Sequence, residues 1–156
     1  MYAVTVISVG SIKEQYWQDA AAEYLRRMQP YCRVAFREVP EEPISKVTDR
    51  KRILAIEAER ILKNIPIRTT LVALDRTGAE FTSSDLATKI QNWSQFGNSI
   101  TFIIGGPLGL AAEVLTKSHT LLSLSKLTFT HQQTRVILLE QLYRAAMIIH
   151  GKQYHY

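Results

Sequence analysis

Apolar positions along this chain follow two periods, and they alternate from one to the other. Tyr2–Val9 is rich in Val and Ile with period two and predicts a strand closed by Gly10. From Ile12 to Met28 the period is helical. Ile12, Tyr16, Ala20, Tyr24 and Met28 recur every four residues, with Trp17, Ala21 and Leu25 beside them. Pro30 stops that helix, Cys32–Val39 predicts a second strand, and Pro40-Glu41-Glu42-Pro43 marks a loop whose carboxylates are expected to be solvated. A second helix is predicted from about Thr48 to Lys63, turning Ile53, Leu54, Ala58, Ile61 and Leu62 inward. Arg68–Leu74 is an uninterrupted apolar strand, with Asp75-Arg76-Thr77-Gly78 as its turn. Thr82 then opens a third helix. Asp85 completes a capping box, and Phe81 and Leu86 are spaced as a hydrophobic staple. Ser99–Ile104 is again a buried strand, followed by Gly105-Gly106-Pro107-Leu108-Gly109. A short helix (about Ala111–Lys117), a strand (Leu121–Leu124), a loop (Ser125–His131) and a long helix (Thr134–His150) complete the pattern.

Strands alternating with helices predict an α/β fold: a mainly parallel sheet with helices on both faces. Ligands of such sheets bind beyond the carboxyl ends of the strands. Leu74-Asp75, Gly105-Gly106 and Leu124-Ser125 are the three ends of interest. The last helix is apolar nearly all round, from Val136 to Ile149. Such a helix must be covered on more than one side, and a second subunit is the expected cover. Leaving about four such side chains exposed would forgo roughly 6–12 kcal/mol of burial.

The length of 156 residues suits one domain, 1–156, with one core, and 46% hydrophobic with 21% charged residues is ordinary for a globular protein. No apolar run approaches the roughly 18 residues of a membrane span, and Met1–Val6 lacks the features of a signal peptide. A single cysteine, Cys32, excludes an internal disulfide framework and fits the reducing cytoplasm. The net charge of +5 is spread along the chain: residues 1–70 carry 12 Lys/Arg against 9 Asp/Glu, and residues 71–156 carry 7 against 5. Such a surplus permits an RNA partner without requiring one.

The glycine loop Gly105–Gly109 lies where a parallel strand delivers a ligand, and glycines let backbone amides approach it closely. A simple tight turn is the alternative. No Gly-Lys-Ser/Thr follows and no GxGxxG is present, which argues against kinase-type and dinucleotide sites. The histidines (His119, His131, His150, His155) and Cys32 show no metal-ligand spacing, so no metal is expected. Arg135 is expected in the first turn of the last helix, where the helix dipole disfavours a cation by about 0.3–1 kcal/mol. That placement suggests an anionic contact, with exposure to solvent or a local carboxylate as the alternatives. Glu140 and Arg144 are spaced for a helical ion pair.

Taken together, these segments resemble the ribosomal RNA large-subunit methyltransferase H family, the pseudouridine N3-methyltransferases of the SPOUT superfamily. The resemblance rests on Val9-Gly10, Ala22–Arg27, Glu38-Val39-Pro40, Ile103–Pro107, Leu124–Phe129, Arg135-Val136, Glu140–Ala145 and Tyr154-His155, in this order. It implies a C-terminal trefoil knot, a homodimer, and S-adenosylmethionine held by Leu74, Gly105, Leu124, Ser125, Lys126, Leu127, Thr128 and Phe129. These coincide with the three strand ends chosen on physical grounds.

The implied substrate is a pseudouridine of 23S rRNA in the large subunit or assembled ribosome, methylated on N3 without metal or covalent intermediate. Arginine stays protonated and cannot take the N3 proton. Arg135 or Arg144 would stabilise negative charge, and His155 is the preferred base, with Tyr154 beside it on a tail expected to be mobile. Two rival functions remain: an RNA-binding module indifferent to S-adenosylmethionine, and an enzyme whose glycine loop holds a small nucleotide's phosphate.

Overall fold

A computed structural model of the chain describes residues 1–47 and 49–154. Five strands, β1 (Tyr2–Val9), β2 (Cys32–Val39), β3 (Thr69–Ala79), β4 (Ser99–Ile104) and β5 (Thr120–Leu122), form one sheet. Its order is β2-β1-β4-β3-β5, and every pairing is parallel. The helices are α1 (Gln15–Met28), α2 (Arg50–Leu62), α3 (Ser83–Trp93), α4 (Ala112–Lys117) and α5 (His131–Ile149).

Both sheet faces are covered, so the strands read as continuous apolar runs even though their side chains alternate. Val4 and Val6 of β1, with Ile100, Phe102 and Ile104 of β4, join the core beneath α1, α3 and α5. Ile7 and Val9, with Ile103, Leu71 and Val39, join a smaller core beneath α2 and α4.

Several expected boundaries move, β5 among them, which spans Thr120–Leu122 where Leu121–Leu124 was expected. Thr130 accepts the amide of Gln133, so α5 starts three residues early and Arg135 falls in its second turn. The strand at Arg68–Leu74 runs on to Ala79. Leu74 and Ala79 both pair with Leu122, and the four residues between them bulge out around Asp75, whose carboxylate accepts the Thr77 amide. The expected turn is therefore a bulge within a longer strand. A Cβ on Gly78 would come within 2.5 Å of the Leu121 backbone, so only glycine lets β3 pass β5 this closely. Finally, α1 begins at Gln15 and α2 at Arg50, where Asp49 caps it; the expected start at Thr48 lies outside the described residues. Thr82 and Asp85 form the expected capping box.

Candidate functional site

Because β4, β3 and β5 are parallel neighbours in the sheet, Leu74 at the bulge of β3, Gly105 after β4 and Leu124–Phe129 after β5 lie toward the same side of the sheet. Register fixes this: Ala73 pairs with Ile103, and Leu74 with Leu122. Leu74, Leu124 and Phe129 are half-buried there, and Leu127 is 74% exposed. Ser123 donates to the carbonyl of Ser125, and the Ser125 hydroxyl accepts the Leu127 amide, so the loop after β5 is held by its own side chains. Lys126 and Thr128 are exposed on it.

The glycine loop folds back on itself. Gly109 donates to the Gly106 carbonyl at 3.0 Å, and Gly109 has φ +80°. A Cβ on Gly105 would lie 2.6 Å from the Gly109 carbonyl oxygen. Of the two readings of this loop, the tight turn is the one its geometry displays: the backbone closes on itself and leaves no room for a side chain at Gly105. Among the described residues, no three His, Cys, Asp or Glu side chains gather in a way that would hold a metal.

Arg135 is elsewhere than the sequence suggested. It is fully buried, and its guanidinium donates to Glu38 at 2.8 Å and to the carbonyls of Gly10 and Val9 at 2.5 and 3.3 Å. Burial pushes its pKa down, and Glu38 opposes that shift. The local-carboxylate alternative is the one realised. Arg135 straps α5 to the ends of β1 and β2 and presents no face to an RNA.

Glu140 and Arg144 form the expected ion pair, at 2.5 Å. Tyr154 joins them: its ring lies under the Arg144 guanidinium at 4.8 Å and edge-on to Tyr143 at 4.7 Å, and its hydroxyl donates to Glu140 at 3.4 Å. Burial, then hydrogen bonding with Tyr24, raises the Tyr154 pKa to about 12, so the phenol stays a neutral donor. The tail is therefore docked on its own helix as far as Tyr154, where a mobile end had been expected. His155 lies outside the described residues. Arg144 is thirteen residues beyond His131, the first residue of α5, and so about 20 Å from it along the helix axis.

Two features were missed in the sequence. Glu57 is 4% exposed, and burial raises its pKa. It accepts the Glu42 amide at 3.0 Å, while Arg60 holds the Glu42 carboxylate and the Pro40 carbonyl. Glu42 is thus engaged, not simply solvated. A carboxylate four residues after Ile53 on the inward stripe was the available signal. The second is Gly10 (φ +79°), flanked by Glu41 and His131: a Cβ there would lie 3.2 Å from the Glu41 carboxylate and 3.6 Å from the His131 ring.

Comparison with known proteins agrees with this geometry. A family model described as "Predicted SPOUT methyltransferase" matches residues 2–155. Proteins named ribosomal RNA large subunit methyltransferase H are similar over nearly the whole chain. That of Desulforamulus reducens is 40% identical, covering 99% of both chains. Those of Halothermothrix orenii and Acetivibrio thermocellus are 45% and 42% identical, each covering 97% of this chain and 98% of its own. A solved "probable methylase family protein" from Haemophilus influenzae Rd KW20 shares the fold, with TM-score 0.55 at 15% identity over 99% of this chain and 70% of its own. With a parallel α/β sheet and full-length similarity on this scale, the chain belongs to the ribosomal RNA large subunit methyltransferase H family of SPOUT methyltransferases.

Proposed function

We propose that this enzyme transfers the methyl group of S-adenosylmethionine to N3 of a pseudouridine in the 23S rRNA of the large subunit or ribosome, in the cytoplasm. The observation that carries the reading is the strand order β4-β3-β5, which sets Leu74 at the β3 bulge, Gly105 after β4 and Leu124–Phe129 after β5, separated in sequence, side by side. The loops fit the cofactor: half-buried Leu74, Leu124 and Phe129 offer apolar surface for an adenine, and loop backbone offers polar groups for its edge. Threading of the β3–β5 crossing into a trefoil knot is part of this proposal, supported by the close passage at Gly78.

When bound, S-adenosylmethionine supplies an electrophilic methyl on its sulfonium. The chain's part is to position the acceptor and handle its proton; positioning alone can supply about 7–11 kcal/mol. Arg144, Tyr154 and His155 are the proposed acceptor-side groups, with His155 receiving the N3 proton. Because Arg144 lies about 20 Å along α5 from His131, the first residue of that helix, the reading requires a homodimer in which one protomer's tail faces its partner's cofactor loops. The surface supports this. Ile137, Tyr143, Ile148 and Ile149 of α5 remain partly exposed beside half-exposed Trp17, Tyr24 and Leu25 of α1. Among the described residues no helix is long and apolar enough to cross a membrane. The test is methyl transfer from labelled S-adenosylmethionine to ribosomes from cells lacking the protein, followed by mass spectrometry of 23S rRNA. Label on any site other than a pseudouridine N3 would refute the assignment.

A further inference from the structure

The first turn of α2 carries three consecutive cations, Arg50, Lys51 and Arg52, and no acidic residue. They occupy the end of the helix where the dipole repels positive charge. Lys46 lies just before them. Residues 43–52 hold four cations against one carboxylate, Asp49, a surplus of three within a chain whose whole net charge is +5. All four side chains are exposed. Among the described residues none of the four meets a carboxylate, because Asp49 spends its side chain on the Lys51 amide and Glu59 pairs with Lys63. Two apolar neighbours, Ile44 and Val47, are 54% and 95% exposed.

The position of the cluster gives it meaning. Arg50 donates to the carbonyl of Leu108 at 3.2 Å, which fastens the start of α2 to the glycine loop at the end of β4. An RNA that lays a nucleotide over the ends of β3, β4 and β5 passes beside this helix start. We infer that Lys46, Lys51 and Arg52 form a docking surface for the phosphate backbone of the substrate RNA, flanking the cofactor loops. This inference rests on the RNA substrate proposed above and adds the surface that orients it. Contacts of this kind fix register on the backbone and read no sequence. The exposed apolar side chains of Ile44 and Val47 would be covered as the RNA docks.

The test is a triple variant, Lys46→Gln, Lys51→Gln, Arg52→Gln, with Arg50 kept because it holds the glycine loop. S-adenosylmethionine affinity is measured by calorimetry, and methyl transfer to unmethylated ribosomes is followed from about 50 to 200 mM salt. Cofactor affinity should stay within about twofold. The melting temperature should hold or rise, since unfavourable charges leave the helix start. The KM for ribosomes should rise about tenfold, and the slope of log kcat/KM against log salt should become shallower by about two, at roughly 0.7–0.9 per lost phosphate contact. A structural role would lower the melting temperature instead. Normal wild-type methylation with an unchanged slope and KM in the variant would overturn the surface alone. A wild-type protein that binds the cofactor yet methylates no ribosome would overturn the substrate reading and this surface with it.

Discussion

Replacing Arg135 by Met separates an internal strap from an RNA contact. The guanidinium is fully buried and makes three bonds: to Glu38 at 2.8 Å, to the Gly10 carbonyl at 2.5 Å and to the Val9 carbonyl at 3.3 Å. Glu38 is 44% exposed and recovers water when its partner is lost, so that pair contributes about 0–1 kcal/mol. The carbonyls are the larger loss. Each gives up a hydrogen bond to a charged donor, worth roughly 1.5–3 kcal/mol, and the longer bond to Val9 sits at the low end. Methionine fills part of the volume and removes the cost of burying a cation whose Nε has no partner among the described residues. The net expectation is a loss of about 3–5 kcal/mol, nearly all of it from the two hydrogen bonds to a charged donor. For a chain of this size that lowers Tm by about 10–15 °C. Urea unfolding measures the loss directly, and Arg135→Lys, which keeps the charge but not the planar fork, should lose about half as much. The salt slope of ribosome methylation should be unchanged in the lysine variant. A stability loss below about 1 kcal/mol in Arg135→Met, or a shallower salt slope at full stability in Arg135→Lys, would refute the reasoning.

Three further outcomes are expected. Gly105→Val should lower S-adenosylmethionine affinity at least tenfold with far-UV circular dichroism nearly intact, because its Cβ would press on the Gly109 carbonyl from 2.6 Å; unchanged affinity in calorimetry would remove the loop from the site. Ile148→Glu, on the partly exposed side of α5, should convert a dimer into monomer or aggregate, since a buried unpaired charge is costly; a wild-type protein that sediments as a monomer at micromolar concentration would end the composite-site proposal. Glu57 has its pKa raised by burial, so it favours the fold while protonated and loses that contribution as pH rises through its ordinary value near 4.5 and beyond; Glu57→Gln should match wild type in urea unfolding well below pH 4.5 and become relatively more stable at neutral pH, and the opposite trend would contradict the burial account.

Much of the architecture is legible in residue order. β1, β2 and β4 fall at the expected residues, and the capping box at Thr82 and Asp85 forms as its spacing requires. The apolar circumference of α5 is equally plain, and four of its large side chains remain partly exposed. Errors cluster where a local signal competes with a distant contact. Asp75–Gly78 has turn chemistry, yet β5 pairs with both sides of it and turns it into a bulge. Thr130 was passed over as a cap, which placed Arg135 one turn too early.

The sequence by itself determined the alternation of strands and helices, because it depends on periodicity and on the chemistry of Gly and Pro, which act within a few residues; the order that sets β4, β3 and β5 side by side is tertiary. Tertiary structure decided which ionisable groups face inward. Arg135 meets Glu38 across 97 residues and Gly10 across 125, and Glu57 meets Glu42 across 15. Whether a charge at a given position is a ligand contact or a strap depends on which carbonyl or carboxylate the fold carries to it. That partner is set by strand order and helix placement, and no local pattern encodes it. The same holds for Tyr154. Its residue type allows stacking on a base, but the return of the chain along α5 placed it against Tyr143 and Arg144.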